Sequence, residues 1–242
     1  MRPMLVVMPT YNERANLEKV VAGILAHDFT RVLIVDDGSP DGTGPLADTL
    51  AAAHPGRVEV MHRTGPRGLG RSYIDGLKYA IASGVETICQ MDADLSHDPK
   101  YLPDLAAALD DHDLVIGSRY LDGEVRVVNW PLHRIILSAF ANRYIRFVTG
   151  LTPRDCTSAY RAWRRDMLAK LPLQHARTSG YAFLPEMLVE ASRLGCRIGE
   201  VPIIFVERQE GYSKVSSHVL LESLLVPWQL MLKGGRLRRP RR

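Results

Sequence analysis

The chain has 242 residues, 46% of them hydrophobic and 24% charged, ordinary proportions for a globular protein with a sizeable core. Its net charge of +4 sits at the end: residues 233–242 hold six Lys and Arg and no acid, so residues 1–232 carry a net −2. This argues against a nucleic-acid domain, whose basic residues would spread over a face. No apolar run approaches the about 20 residues a membrane span needs, and "MRPMLVVMPTYNE" turns polar too early for a secretory signal. Cys89, Cys156 and Cys196 are far apart and form no CxxC pair; a zinc site or disulfide framework is disfavoured, and a reducing cytosol fits.

"MLVVMP" predicts a first strand, and "ERANLEKVVAGILAH" a helix with apolar residues at Leu17, Val20, Val21, Ile24 and Leu25 behind a cap at Asn12. "RVLIVDD" is a second strand, "TGPLADTLAAAH" a helix, "RVEVMHR" a strand and "LGRSYIDGLKYAIASG" a helix. "ETICQMD", "PKYLPDLAAALD" and "DLVIGSRY" continue as strand, helix and strand. Continuous apolar strands alternating with amphipathic helices over residues 4–118 specify an α/β chain, with a mainly parallel, Rossmann-like sheet and helices on both faces.

Further on, "NWPLHRIILSAFANRYIRFVTG" predicts one helix from near Asn129 to Gly150, and "TSAYRAWRR" a strand. A short helix around Asp166–Lys170 and a longer one in "FLPEMLVEASRLG" follow. "RIGEVPIIFVER" is a strand whose Pro202 places it at an edge. No linker separates the halves. We therefore divide the chain into one domain, residues 1–216, with a C-terminal α/β subregion inside it, and an amphipathic helix with a basic tail, residues 217–242.

In open parallel sheets, ligands sit beyond the carboxyl ends of the strands. Three strand ends are polar here: "PTYNE", "VDDGSPDGT" and "DADLSHDP". Singly they could be a capping turn, a loop and a helix N-terminus. Together they suggest one binding edge, where the adjacent acids Asp36 and Asp37 call for a compensating ligand or cation. In an extended chain Asp92 and Asp94 point the same way, and such oxygen ligands suit Mg²⁺ or Mn²⁺ with a substrate diphosphate completing the shell. "GPRGLG" lacks the spacing of a phosphate-binding loop and reads as a flexible turn; no G-x-S-x-G elbow is present. His62, His97 and His133 lack ligand spacing and read as local hydrogen-bonders.

The ordered set "PTYNE", "VDDGSPDGT", "MDADLSHDP", "GSRY", "RDCTSAYRAW" and "IGEVPIIFVERQEGYSK" resembles the dolichyl- and polyprenyl-phosphate mannosyltransferases of glycosyltransferase family 2. The resemblance covers roughly residues 4–216. It implies a GT-A fold and transfer of mannose from GDP-mannose to a polyprenyl (dolichyl) phosphate with inversion, giving a β-linked product. It also implies roles by position. Pro9, Tyr11 and Glu13 match base and ribose contacts, with Val35 and Asp37 in the second strand-end contact. Asp92, Ala93 and Asp94 match the metal and diphosphate motif. Arg119 and Arg134 match holders of the acceptor phosphate, and Arg208 and Lys214 match basic residues that close over the donor. Two departures stand out. Ser96 replaces a glutamine that helps bind the metal in some relatives, and Leu184 and Pro185 in "FLPE" disturb a helix start.

The chemistry agrees with this reading. A phosphate acceptor is already ionised near neutral pH, so no base is needed; positive charge and a divalent metal are. Alternatives are a UDP-glucose-dependent glucosyltransferase, a nucleotide-sugar binding module without turnover, and a sugar-1-phosphate nucleotidyltransferase. A lipid acceptor without a membrane span implies a visit to the cytoplasmic face of a membrane, or a separate membrane-anchoring protein. The expected contact is the C-terminal segment, with Val219, Leu220, Leu224, Leu225, Trp228 and Leu232 on one face and basic residues behind; the competing expectation is that this helix packs on the domain.

Overall fold

A computed structural model describes residues 1–173, 182–207, 225–232, 235 and 237. The strands are β1 (Met4–Thr10), β2 (Thr30–Asp36), β3 (Val58–His62), β4 (Thr87–Gln90), β5 (Leu114–Ser118), β6 (Val127–Val128), β7 (Arg161–Arg164), β8 (Ile198–Pro202) and β9 (Phe205–Val206). The helices are α1 (Arg14–Leu25), α2 (Thr43–Ala53), α3 (Leu69–Ala82), α4 (Leu102–Ala108), α5 (Leu132–Thr149), α6 (Arg165–Leu168) and α7 (Phe183–Arg193). Residues 225–232 form a further helix, α8.

Seven strands make one sheet in the order β3-β2-β1-β4-β7-β5-β8, and β6 pairs with β9 in a small second sheet. The large sheet is parallel except for β7, which runs antiparallel between β4 and β5. Every residue of β1 is buried, as expected of a strand covered on both faces. Two buried clusters flank the sheet, one around Leu5, Val7, Leu33, Tyr73 and Trp163, the other around Met4, Val6, Leu17, Ile34 and Tyr160. Tight helix packing requires Gly76 of α3: a Cβ there would meet Val7 Cγ1 at 2.5 Å. β8 is the edge strand its proline implies.

Several local expectations change. Glu13, not Asn12, precedes the first turn of α1; Asn12 sits at φ 62° in the left-handed region. The helix expected from Asn129 begins at Leu132, because Asn129 is left-handed (φ 64°) and Pro131 is extended. "FLPE" does not disturb α7. Pro185 lies in its first turn, where a missing N–H costs nothing, and the buried Arg161 donates to the Leu184 carbonyl at 2.8 Å.

Candidate active site

Strand register gathers the site. Thr10 pairs with Asp36, Val7 with Gln90, Gln90 with Arg161 and Arg161 with Ile116. Asp92, two residues past Gln90, and Arg119, three past Ile116, therefore leave the sheet at the edge where β1 and β2 end.

The β1–β2 side is the acidic side, and the protein neutralises much of it. The Arg63 side chain is only 6% exposed; its Nη1 donates to Asp37 Oδ1 and its Nε to Asp75 at 2.8 Å. The Gly68 N–H donates to Asp37 Oδ2 at 2.8 Å. Gly68 has φ 152°, a conformation that favours glycine. Asp36 accepts from Thr10 Oγ1 (3.4 Å) and from the Ser39 N–H (3.3 Å) and hydroxyl. Of the compensating ligand or cation expected for these two acids, Arg63 of the chain itself supplies the cation for Asp37. "GPRGLG" is likewise a placed loop rather than a slack turn. Its Arg67 donates to Tyr11 Oη (2.8 Å) and the Gly38 carbonyl (3.1 Å), with the guanidinium 4.8 Å from the Tyr11 ring centre.

Around these groups Pro9 and Val35 are buried walls. Glu13 accepts from Asn16 Nδ2, and its backbone N–H donates to Thr43 Oγ1 at 3.0 Å.

The chain bends after β4 rather than staying extended. The strand ends at Gln90 and the backbone turns from Ala93 through His97, with Leu95 at φ 63°, so the argument that placed Asp92 and Asp94 on one side of a strand does not apply. Their carboxylates are oriented by neighbours instead. Asp92 accepts from Tyr73 Oη at 2.6 Å. Burial first, then Asp92, pushes the Tyr73 phenol well above its usual range, so it remains a donor. Asp94 is 4% exposed, and its Oδ1 accepts from both the Ser96 N–H (3.0 Å) and hydroxyl. Ser96 thus orients Asp94. Ala93 between them is buried. Asp98 fulfils the helix-start reading, capping the turn at Pro99–Tyr101. Among the described residues, no three His, Cys, Asp or Glu side chains gather as a metal cage. A pair of carboxylates with hard oxygen donors fits Mg²⁺ or Mn²⁺, which take few protein ligands beside substrate phosphates.

The β5 side is basic and aromatic. Arg119 is 7% exposed and Asp155 fully buried. Arg119 Nε and Nη2 donate to the two Asp155 oxygens, each at 2.7 Å, and Nη2 also donates to Thr157 at 2.8 Å. Burial alone would favour the neutral forms of both groups. Their mutual attraction outweighs it, holding the arginine above and the aspartate below their usual ranges. The Arg119 guanidinium lies 5.4–5.6 Å from the ring centres of Phe205, Tyr120 and Trp130. Arg134, on α5, covers Trp130 at 4.2 Å and donates to Glu207.

The two sides touch through rings. His97 Nδ1 accepts from the Asp92 N–H at 3.0 Å, and the His97 ring packs on Tyr160 (4.9 Å) and edge-on to Phe205 (5.7 Å). His97 is the local hydrogen-bonder expected. Phe205, on β9, reaches Trp130 at 5.4 Å.

The structure thus brings Asp92, Ala93, Asp94 and Arg119 to one edge, with Arg134 beside Arg119 across Trp130. Arg208 and Lys214 lie outside the described residues. Sequence reading missed Arg63, Arg67, Asp155, Trp130 and Phe205. Asp155 was visible as the single acid inside "RDCTSAYRAW", but nothing local names its partner.

Residues 5–171 match the sequence profile of Glycosyl transferase family 2. A polyprenol monophosphomannose synthase of Mycolicibacterium smegmatis is 45% identical over 98% of this chain and 89% of its own length. An undecaprenyl-phosphate mannosyltransferase of Micrococcus luteus is 42% identical over 97% of each. Among solved structures, glucosyl-3-phosphoglycerate synthase of Mycobacterium tuberculosis, crystallised with Mn²⁺, UDP-glucose and phosphoglyceric acid, superposes with a TM-score of 0.67. That match covers 96% of this chain and 79% of the other at 20% identity, a likeness of fold. With the profile matched over most of its length and two relatives at 45% and 42% identity, the chain belongs to glycosyl transferase family 2 and is a glycosyltransferase of the GT-A fold.

Proposed function

We propose that this enzyme transfers mannose from GDP-mannose to a polyprenyl phosphate such as dolichyl phosphate, with inversion, giving a β-linked polyprenyl-phosphate mannose. Two relatives named for this product or transfer, each matched over nearly its whole length, support the substrate class. The structural observation that carries the reading is the ring bridge. His97, which accepts from the Asp92 backbone N–H, and Phe205 link the chain segment that carries Asp92 and Asp94 to the guanidinium of Arg119.

The donor belongs on the β1–β2 side, against Pro9, Tyr11, Glu13, Val35 and Asp37. Asp94 and Asp92 would hold Mg²⁺ or Mn²⁺, which when bound neutralises charge on the departing diphosphate. Ser96 and Tyr73 orient those carboxylates through the hydrogen bonds described. Arg119 and Arg134 orient the acceptor phosphate toward the anomeric carbon by charge-assisted hydrogen bonds. The rings of Trp130, Tyr120 and Phe205 exclude water and sharpen these attractions. Arg208 and Lys214 are assigned to the donor phosphates. An ionised phosphate oxygen attacks directly, so no side chain need remove a proton. The enzyme is assigned to the cytoplasmic face of a membrane, attached peripherally; no helix among the described residues is long and apolar enough to cross one.

The test is incubation with Mg²⁺, a polyprenyl phosphate and either radiolabelled GDP-mannose or UDP-glucose. Label from GDP-mannose should become lipid-extractable and EDTA should prevent it. Lipid-extractable label from UDP-glucose alone would replace this donor assignment.

A further inference from the structure

A surface helix ordinarily turns its apolar stripe to the core and its polar face to water. α5 also turns large apolar side chains outward. Leu132 (71% exposed), Ile136 (60%), Phe140 (58%) and Phe147 (68%) lie along its outer side, with Leu137 beside them. Their spacing of whole turns keeps them on one side, while Asn142, Ile145, Val148 and Thr149 face the interior.

α8 extends this surface. It buries Val226 and Leu230 in the main core and leaves Leu225, Trp228 and Leu232 exposed. Trp228 Nε1 donates to Tyr144 Oη of α5 at 2.7 Å, and Tyr144 stacks on Phe140. Among the described residues, eight of the fourteen exposed large hydrophobic ones therefore sit on two helices tied to each other. Exposed apolar patches of this kind mark interaction surfaces.

We infer that the outer face of α5, continued by α8, docks on the surface of an anionic lipid bilayer. The inference rests on the lipid acceptor of the proposed function. Three observations favour a bilayer over a second copy or a protein partner. Arg134, assigned to the acceptor phosphate, is on α5 itself, so docking this helix brings the site to a phosphate anchored in the membrane. Exposed His133 and Arg143 share the outer face, and the sequence after α8 carries six further basic residues, charges complementary to anionic head groups. Trp228 and Tyr144 are residue types that favour the water–lipid interface. This modifies the expectation for the C-terminal segment. Among its named residues, Leu225, Trp228 and Leu232 are exposed as expected, whereas Val219, Leu220 and Leu224 lie outside the described residues. The helix nonetheless packs on the domain, and α5 contributes the larger share of the surface.

The test is flotation of the full chain with vesicles of phosphatidylglycerol and phosphatidylcholine, free of polyprenyl phosphate, at low salt. Phe140→Ser and Phe147→Ser are examined singly and together, with thermal unfolding as a check, and Leu132→Gln serves if either phenylalanine variant folds poorly. Each phenylalanine lost should lower vesicle partitioning by about tenfold or somewhat more. Transfer to a short, water-soluble polyprenyl phosphate should persist, while transfer to a long acceptor embedded in vesicles falls. Undiminished flotation of folded variants would overturn the inference. So would wild-type protein that ignores vesicles but sedimentates as a dimer that the substitutions dissociate. Wild-type flotation abolished by the substitutions, without transfer to either acceptor, would uphold the docking face and count against the proposed reaction instead.

Discussion

The two sides of the site solve opposite electrostatic problems. Where β1 and β2 end, the exposed chemistry is acidic, and one buried arginine, Arg63, ties down Asp37 and Asp75. Where β5 ends, the chemistry is cationic, and one buried acid, Asp155, ties down Arg119. Each side encloses a counter-charge to its own charged group in low dielectric. The comparison teaches that a charged strand end need not await a ligand. Asp37 is already satisfied, whereas Asp92 and Asp94 are held by a phenol and a serine that carry no positive charge.

The largest expected effect comes from breaking the buried pair on the basic side. Asp155→Ala leaves Arg119 uncompensated and should destabilise the fold by about 3–5 kcal/mol, read from urea unfolding. Replacing both residues by apolar ones, Arg119→Met with Asp155→Leu, should recover most of that stability while transfer stays lost. Recovery of transfer as well would reduce Arg119 to a scaffold. The pair also predicts an acid limb. The Asp155 pKa is lowered in the fold, so its contribution is complete above the unfolded value of about 3.9 and disappears as pH falls through the native one. The stability gap between wild type and Asp155→Asn should therefore narrow below about pH 4.

Next is the acid that Ser96 orients. Asp94→Asn should cost about 3–4 kcal/mol in the transition state, a 10²–10³-fold loss of turnover, with thermal unfolding nearly unchanged. Near-normal, EDTA-sensitive turnover by the folded variant would remove Asp94 from the metal site. A smaller effect is expected on the acidic side. Arg63→Ala deprives Asp37 of its cation and should weaken donor binding and stability together, each by about 1–3 kcal/mol. Stability lost with donor affinity intact would make Asp37 purely structural.

How much of this was legible in the sequence follows from the range of each signal. Helices and strands up to residue 118 were readable because periodicity and turn residues act locally. So was the binding edge, since a parallel sheet sends every strand end the same way. The place of β7 between β4 and β5 was not readable, because periodicity reports a strand and says nothing of its neighbours. Arg63 and Asp37 are 26 positions apart, and Arg119 and Asp155 are 36 apart; no local pattern joins such pairs. Asp92 and Asp94 were brought to the edge by an extended-strand argument that does not hold, since the backbone turns from Ala93 onward. The outward apolar face of α5 escaped notice for another reason. An amphipathic pattern shows that a helix has two faces, and which one meets the core depends on what packs beneath it.

The division into a donor side and an acceptor side is tested most directly by Arg134→Ala. Its half-exposed pair with Glu207 adds little to stability, so the variant should fold. Calorimetric titration with GDP-mannose and Mg²⁺, without lipid, should give a donor affinity within about twofold of wild type. The same protein should use polyprenyl phosphate about tenfold to a hundredfold less well, the loss expected when a phosphate forfeits one charge-assisted hydrogen bond. A donor affinity that falls as far as acceptor use would contradict the two-sided site.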